Sequence, residues 1–76
     1  MVTIFKNHHI RWEDNTSVNI YELFADSASD LPTDPYYFSN DKDGKYKISQ
    51  GSIAWIISTA EMYIFSSTNT WVLQSV

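Results

Sequence analysis

The absence of cysteine is the feature that most constrains how this chain of 76 residues folds. A domain this small covers its apolar surface thinly, and short chains compensate with disulfides, a structural metal or self-association. Without cysteine, disulfides and thiolate metal sites are excluded. The chain is rich in aromatic residues, which are enriched in protein interfaces. We therefore expect one small domain, residues 1–76, that is stabilised by self-association or by docking on a larger assembly.

Apolar residues alternate with polar ones along much of the chain, and β-branched and aromatic residues dominate. Apolar residues nowhere recur at helical spacing over three turns, so the pattern predicts an all-β, or nearly all-β, fold. In the N-terminal part, residues 1–25, we expect two short strands at 2–6 and 9–13 that form a hairpin around Asn7 and His8. A turn at 14–17 and a third strand at 18–24 follow, with Val18 and Ile20 on one face and Tyr21 and Leu23 on the other.

The segment 26–35, DSASDLPTDP, contains both prolines and reads as a loop, with a helical turn capped by Asp26 or Ser27. The remainder, residues 36–76, is predicted to form a hairpin followed by a β-meander. The hairpin has strands at 36–39 and 45–49 around the turn NDKDG. The meander has three strands, which begin near Gly51, Glu61 and Trp71 and are separated by turns at 59–60 and 67–70. The expected architecture is a small antiparallel sheet or sandwich.

Both faces of the predicted meander are apolar. In residues 53–57 the odd-numbered and the even-numbered side chains are all apolar, and the same holds for residues 62–65. A lone antiparallel sheet in water normally keeps one polar face. Two apolar faces therefore predict either a two-layer core or a face that another chain covers.

Charge and hydropathy exclude several classes of partner. The net charge is −4 and no basic stripe is present, so binding to nucleic acid is not expected. No stretch reaches the roughly 18 to 20 apolar residues that span a bilayer, and the N-terminus lacks the apolar region of a secretory signal. We expect a protein that is made in the cytoplasm and stays there unless a particle carries it.

Residues that support catalysis or metal binding are scarce, and no cofactor is expected. The chain has no nucleophile elbow and no phosphate-binding glycine loop, so no enzymatic activity is predicted. Adjacent histidines in a strand, such as His8 and His9, point to opposite faces and do not converge on one metal, except where symmetric copies meet. The segment between Ser39 and Gln50 imitates a calcium loop only loosely, and a hairpin turn at Asp43 and Gly44 explains it with fewer assumptions.

Two stretches, YELFADSASDLPT and GSIAWIISTAEMYIFSSTNTWVLQ, resemble small structural proteins of tailed bacteriophages and prophages, of the head-fibre, decoration or tail accessory type. The resemblance covers roughly the last two thirds of the chain. It implies a virion location and a non-enzymatic role in contact with head or tail proteins or with further copies, such as a trimer. The matching residues are Leu31, Pro32, Thr33, Gly51, Ser52, Glu61, Met62, Tyr63 and Trp71.

Seven aromatic residues are candidates for contact with a partner; packing in the core is the alternative for each, and it explains Trp55 and Trp71 at least equally well. They are Trp12, Tyr36, Tyr37, Trp55, Tyr63, Phe65 and Trp71. The leading hypothesis is a virion structural protein. The alternatives are a small acidic protein that binds and regulates a host protein, and a carbohydrate-binding module with aromatic platforms.

Overall fold

The computed structural model describes residues 2–39 and 45–74, and these form one mixed sheet of six strands. The strands are β1 (Val2–Glu13), β2 (Thr16–Ala25), β3 (Lys45–Ile48), β4 (Ile53–Ile56), β5 (Glu61–Phe65) and β6 (Trp71–Leu73). Their order in the sheet is β1-β2-β4-β5-β6, and β3 pairs with β2 beside β4. The predicted all-β class is confirmed.

The N-terminal hairpin joins β1 to β2, with its turn at Asp14 and Asn15. Both residues have positive φ, 47° and 64°, which suits the tight turn of a hairpin. The prediction of two short strands that turn at Asn7 and His8 is wrong. These two residues continue β1 because they pair with Tyr21 and Ile20 of β2.

Parallel pairing makes the sheet mixed, which corrects the expectation of an antiparallel sheet or sandwich. β2 pairs in parallel first with β3 and then with β4. The turn between β3 and β4 lies beside the middle of β2. There the Ser49 amide donates to the Asn19 carbonyl at 2.8 Å, and the Tyr21 amide donates to Ser52 Oγ at 3.0 Å. The turn thus satisfies backbone groups of β2 that neither strand reaches.

The predicted second hairpin is only partly present. Strand β3 forms as predicted, but residues 36–39 form a turn because Asp34 accepts from the Tyr36 and Tyr37 amides at 2.9 and 3.0 Å. The Ile48 amide donates to the Pro35 carbonyl at 2.7 Å. The predicted turn residues, 40–44, and with them most of the weak calcium loop, lie outside the described residues.

The C-terminal meander of β4, β5 and β6 is confirmed, with antiparallel pairing throughout. Its turns contain Ala60 and Asn69 at positive φ. The predicted division of side chains between the two faces is also correct, because Ala54 pairs with Tyr63 and Trp55 pairs with Met62.

The core lies on one face of the sheet, which we call the core face. Residues 26–39, the covering segment, cross this face and include the predicted helical turn, Ala28–Asp30, with Ser27 as its N-cap. Leu31 of this segment packs with buried residues of β2, β4 and β5, and Phe38 packs on Tyr21 with ring centroids 4.7 Å apart. The buried apolar residues of the core are Tyr21, Leu23, Ala25, Leu31, Ile48, Ala54, Ile56 and Phe65.

Candidate functional site: the open face of the sheet

The second face of the sheet, which we call the open face, carries apolar side chains that remain exposed from Phe24 of β2 to Val72 of β6, whereas Val18, on the same face near β3, is fully buried. Two adjacent rows of paired side chains run across its strands. One row joins Phe24 of β2 to Trp55 of β4 and Met62 of β5. The other row runs from β2 to β6 and contains Glu22, Ile53, Ile64 and Val72.

The rows leave large apolar side chains in contact with solvent. Phe24 is 40% exposed, Trp55 is 43% exposed and Val72 is 47% exposed. On the core face, by contrast, Leu23, Ala54 and Phe65 are at most 1% exposed. The two faces differ in exposure because the covering segment crosses only one of them, although both are apolar. The open face comprises Phe5, Ile20, Phe24, Ile53, Trp55, Ile57, Met62, Ile64 and Val72.

The edge strand β1 extends the open face beyond the rows. The Phe5 ring stacks on Phe24 with centroids 4.6 Å apart and an angle of 29° between the ring planes. The only charged residue within the two rows, Glu22, stands opposite Lys6 of β1, so opposite charges face each other there. The apolar surface therefore continues from Phe5 of β1 to β6, and the acidic side chain within the rows stands beside a basic one.

The seven aromatic candidates do not share one surface. Trp55 lies on the open face, whereas Tyr63, Phe65 and Trp71 lie on the core face, where Phe65 is 1% exposed and packs on Trp71 at 4.8 Å. Phe65 is thus removed from the interface set because its ring is used inside the chain.

The other candidates are exposed away from the open face. Trp12, 69% exposed, projects from β1 on the core-face side beside His9, with ring centroids 4.9 Å apart. Tyr36 and Tyr37 are 44% and 57% exposed in the covering segment. These three stay predictions at sites distinct from Trp55, and a partner that covers only the open face leaves them in contact with solvent.

Phe24 of the open face is not among the seven candidates, although the sequence contained a signal for it. Phe24 has the same strand parity as Val18 and Ile20, which puts it on the face that carries Trp55. The seven contact candidates were chosen by residue type alone, so they include aromatic side chains from both faces of the sheet. The missing information was which face the segment 26–39 covers, and this depends on long-range contacts such as that of Leu31 with the sheet.

A chain of polar side chains occupies one end of the core face. Ser17 Oγ donates to Asn19 Oδ1 at 3.1 Å, and Asn19 Nδ2 donates to the Tyr21 hydroxyl at 3.1 Å. His9 Nδ1 lies 2.7 Å from Ser17 Oγ, and since that hydroxyl donates to Asn19, the imidazole is the donor. Ser17 is 5% exposed, so this pair lacks both the access and the proton direction of a nucleophile with its base.

The pKa values of Tyr21 and Glu13 are perturbed by their surroundings. Burial raises the pKa of the Tyr21 hydroxyl above its ordinary value, against the smaller effect of the Asn19 hydrogen bond. The hydrogen bond from Arg11 Nε to Glu13 Oε2, 2.7 Å long, lowers the pKa of the Glu13 carboxyl, and Lys47 Nζ lies 3.6 Å from the other oxygen. Both groups take part in structural contacts outside the two apolar rows.

The described residues bring no three metal-ligating side chains together. They also form no helix with the length and hydropathy needed to cross a membrane. Comparisons of the chain with family models, with curated proteins and with solved structures return no match.

Proposed function

We propose that this chain is a non-enzymatic structural protein of a tailed-bacteriophage particle, which docks on the protein lattice of the head or tail through its open face. The observation that carries the proposal is the pair of apolar rows centred on Trp55 and Ile53, which no described residue covers. Contiguous apolar surface of this kind is typical of sites that bind another protein.

Burial of the open face supplies the driving force for docking. Each Å² of apolar surface that leaves water contributes roughly 25 cal/mol, before the cost of association is subtracted. Phe24 and Trp55 are nearly rigid aromatic side chains at the centre of the face, so they lose little conformational entropy on binding. Weak contacts of single copies suffice on a particle, because many copies bind a repeating lattice.

The charges favour a protein partner over a membrane or a nucleic acid. The chain carries a net charge of −4, which repels phosphate-rich surfaces. Within the two rows and the part of β1 beside them, the open face presents Glu22 beside Lys6 and otherwise apolar side chains, whereas Arg11 and Glu13 lie on the same face towards the other end of β1. A neutral, apolar surface is suited to the interface between two protein chains.

The resemblance to phage structural proteins supports the virion context. The residues that carry it have structural roles here: Leu31 is in the core, Pro32 accepts a hydrogen bond from Trp71, and Ser52 bonds to β2. The resemblance therefore rests on residues that determine the fold, and the docking surface is a separate part of the molecule.

The test is incorporation of tagged chains into particles. Trp55→Thr replaces the central side chain of the open face by a polar, β-compatible one. Tyr37→Thr is the matched control, because Tyr37 is an exposed aromatic of the covering segment. We expect the unaltered chain and Tyr37→Thr in purified particles, and a strong loss of Trp55→Thr. Absence of the unaltered chain from particles contradicts the virion role, and normal incorporation of a folded Trp55→Thr chain contradicts docking by this face.

The alternative, an acidic protein that regulates a host protein, has one feature in its favour. The covering segment carries Asp26, Asp30 and Asp34 and no basic residue. Such a segment complements a basic surface, and the complex would weaken steeply with salt. A salt-sensitive one-to-one complex with a host protein would support this alternative, whereas contact through the open face tolerates salt.

A further inference from the structure

The outer edge of β1 is a second unpaired surface of the molecule. β1 contains 12 residues and stands at the end of the strand order, so no described strand bonds to its outer side. At roughly 3.3 Å per residue it offers at most about 36 Å of free backbone donors and acceptors, and an average strand contains only about 5 or 6 residues. An edge of this length is a template for another strand.

Two bulges interrupt the regular alternation of faces along β1. The first lies between Ile4 and Lys6, where the register with β2 skips Phe5. Phe5 stacks on Phe24 of the open face, and Lys6 stands opposite Glu22 on the same face. Residues 5 and 6 thus share the open face.

The second bulge lies between His9 and Arg11, where the register skips Ile10. Arg11 stands opposite Val18 on the open-face side, and because a bulge sets two consecutive residues of one strand against one residue of its partner, Ile10 and Arg11 together face Val18. Residues 10 and 11 thus share the open face as well.

The two bulges lie symmetrically about His8. Starting from the residue next to His8 and moving towards either end of β1, the five side chains lie on the core, open, open, core and open faces in turn. This order is the same from Asn7 to Thr3 as it is from His9 to Glu13. A strand that alternates regularly falls out of phase with β1 beyond either bulge. A second copy of β1, antiparallel and centred on His8, stays in phase over all 11 residues from Thr3 to Glu13.

We propose that two copies of this chain pair through β1, antiparallel, with His8 opposite the partner's His8 on a two-fold axis. Ile4, 40% exposed, then stands opposite the partner's Trp12, 69% exposed, which forms an apolar pair on the core-face side. Phe5 stands opposite the partner's Arg11, and a guanidinium against an aromatic ring is a favourable contact.

The charges of β1 are compatible with this partner. Lys6 faces the partner's Ile10 and Glu13 faces the partner's Thr3, so no two lysine, arginine or acidic side chains of like charge stand directly opposite each other. Charged residues and bulges normally protect an edge from unrelated strands. Here the charged residues and bulges favour a second copy of β1, because an antiparallel copy carries the same bulges in reverse order.

The pairing also bears on docking. A two-fold axis perpendicular to the sheet keeps both open faces on the same side of one continuous sheet, so the dimer presents two adjacent docking surfaces. The β1 edge and the two rows of the open face consist of different residues, and either proposal can fail without the other.

Cysteine cross-linking tests the register, since the chain has no cysteine of its own. In His8→Cys the two thiols are neighbours across the axis, so a short bis-maleimide should link the chains efficiently. Thr3→Cys is the matched control, because its two thiols lie about ten residues apart, roughly 33 Å, along the paired strands. A mixture of Thr3→Cys with Glu13→Cys should cross-link, whereas neither variant does so alone.

Sedimentation equilibrium of the unaltered chain completes the test and should show a dimer. The pairing is overturned by a monomer at every concentration, or by His8→Cys cross-linking no faster than Thr3→Cys. Efficient cross-linking of Thr3→Cys alone also overturns it, because that result requires another register.

Discussion

The Trp71 indole Nε1 donates a hydrogen bond of 2.8 Å to the carbonyl of Pro32, which joins strand β6 to the covering segment 39 residues earlier in the chain. The Trp71 ring also packs on Phe65 of the core, 4.8 Å between centroids. One side chain thus fixes the segment that decides which apolar face is buried and which stays open.

Trp71→Phe should destabilise the fold by about 1–3 kcal/mol, because the carbonyl of Pro32 loses its donor in a buried position. The measurement is urea unfolding followed by circular dichroism. Trp12→Phe is the matched control, and its 69% exposure predicts a change within about 0.5 kcal/mol at a concentration where the chain is monomeric. Equal effects of the two substitutions would mean that the covering segment does not depend on this bond.

Ser52→Ala should cost about 1–3 kcal/mol of unfolding free energy. Ser52 is fully buried, its Oγ accepts from the Tyr21 amide, and it donates to the Ser49 carbonyl at 2.9 Å. Alanine leaves the Tyr21 amide unpaired at the point where β2 changes partner from β3 to β4. The exposed Ser67→Ala serves as control, and a loss at Ser52 no larger than at Ser67 would contradict this account of the junction.

The meander was predictable because it depends on local pattern. Its strands alternate regularly, and its turns fall at Ala60 and Asn69, where the backbone takes positive φ. The alternation within each strand was predicted correctly, with Trp55 opposite in face to Ala54 and Met62 opposite in face to Tyr63. Short antiparallel strands joined by tight turns are encoded by neighbouring residues.

Elements that depend on distant partners were not predictable in the same way. Asn7 and His8 read as a break, but they stay in β1 because Tyr21 and Ile20 pair with them. The parallel pairing of β2 with β3 and β4 leaves no local signature, since the partners are more than 20 residues apart. For the same reason the sequence predicted two apolar faces and left open which one is covered.

Stability should fall at alkaline pH through Tyr21. Burial raises the folded-state pKa of Tyr21 above its ordinary value of 10.0, so its contribution is complete below about pH 10 and is lost as pH rises through the folded-state pKa. Unfolding measured across this range should show a steeper decline for the unaltered chain than for Tyr21→Phe, which has no group to ionise. Tyr37→Phe, at an exposed site, should keep the steep decline. Parallel curves for the unaltered chain and Tyr21→Phe would exclude Tyr21 as the cause.

Hydroxyl-radical footprinting of the chain, free and assembled in particles, tests most directly whether another protein covers the open face. Trp55 and Met62 report on that face, and Tyr37, 57% exposed in the covering segment, is the internal reference. The account predicts that labelling of Trp55 and Met62 falls several-fold on assembly while that of Tyr37 does not. Equal labelling of Trp55 and Met62 in the free and assembled chain would contradict the central claim, because the open face would then stay in water.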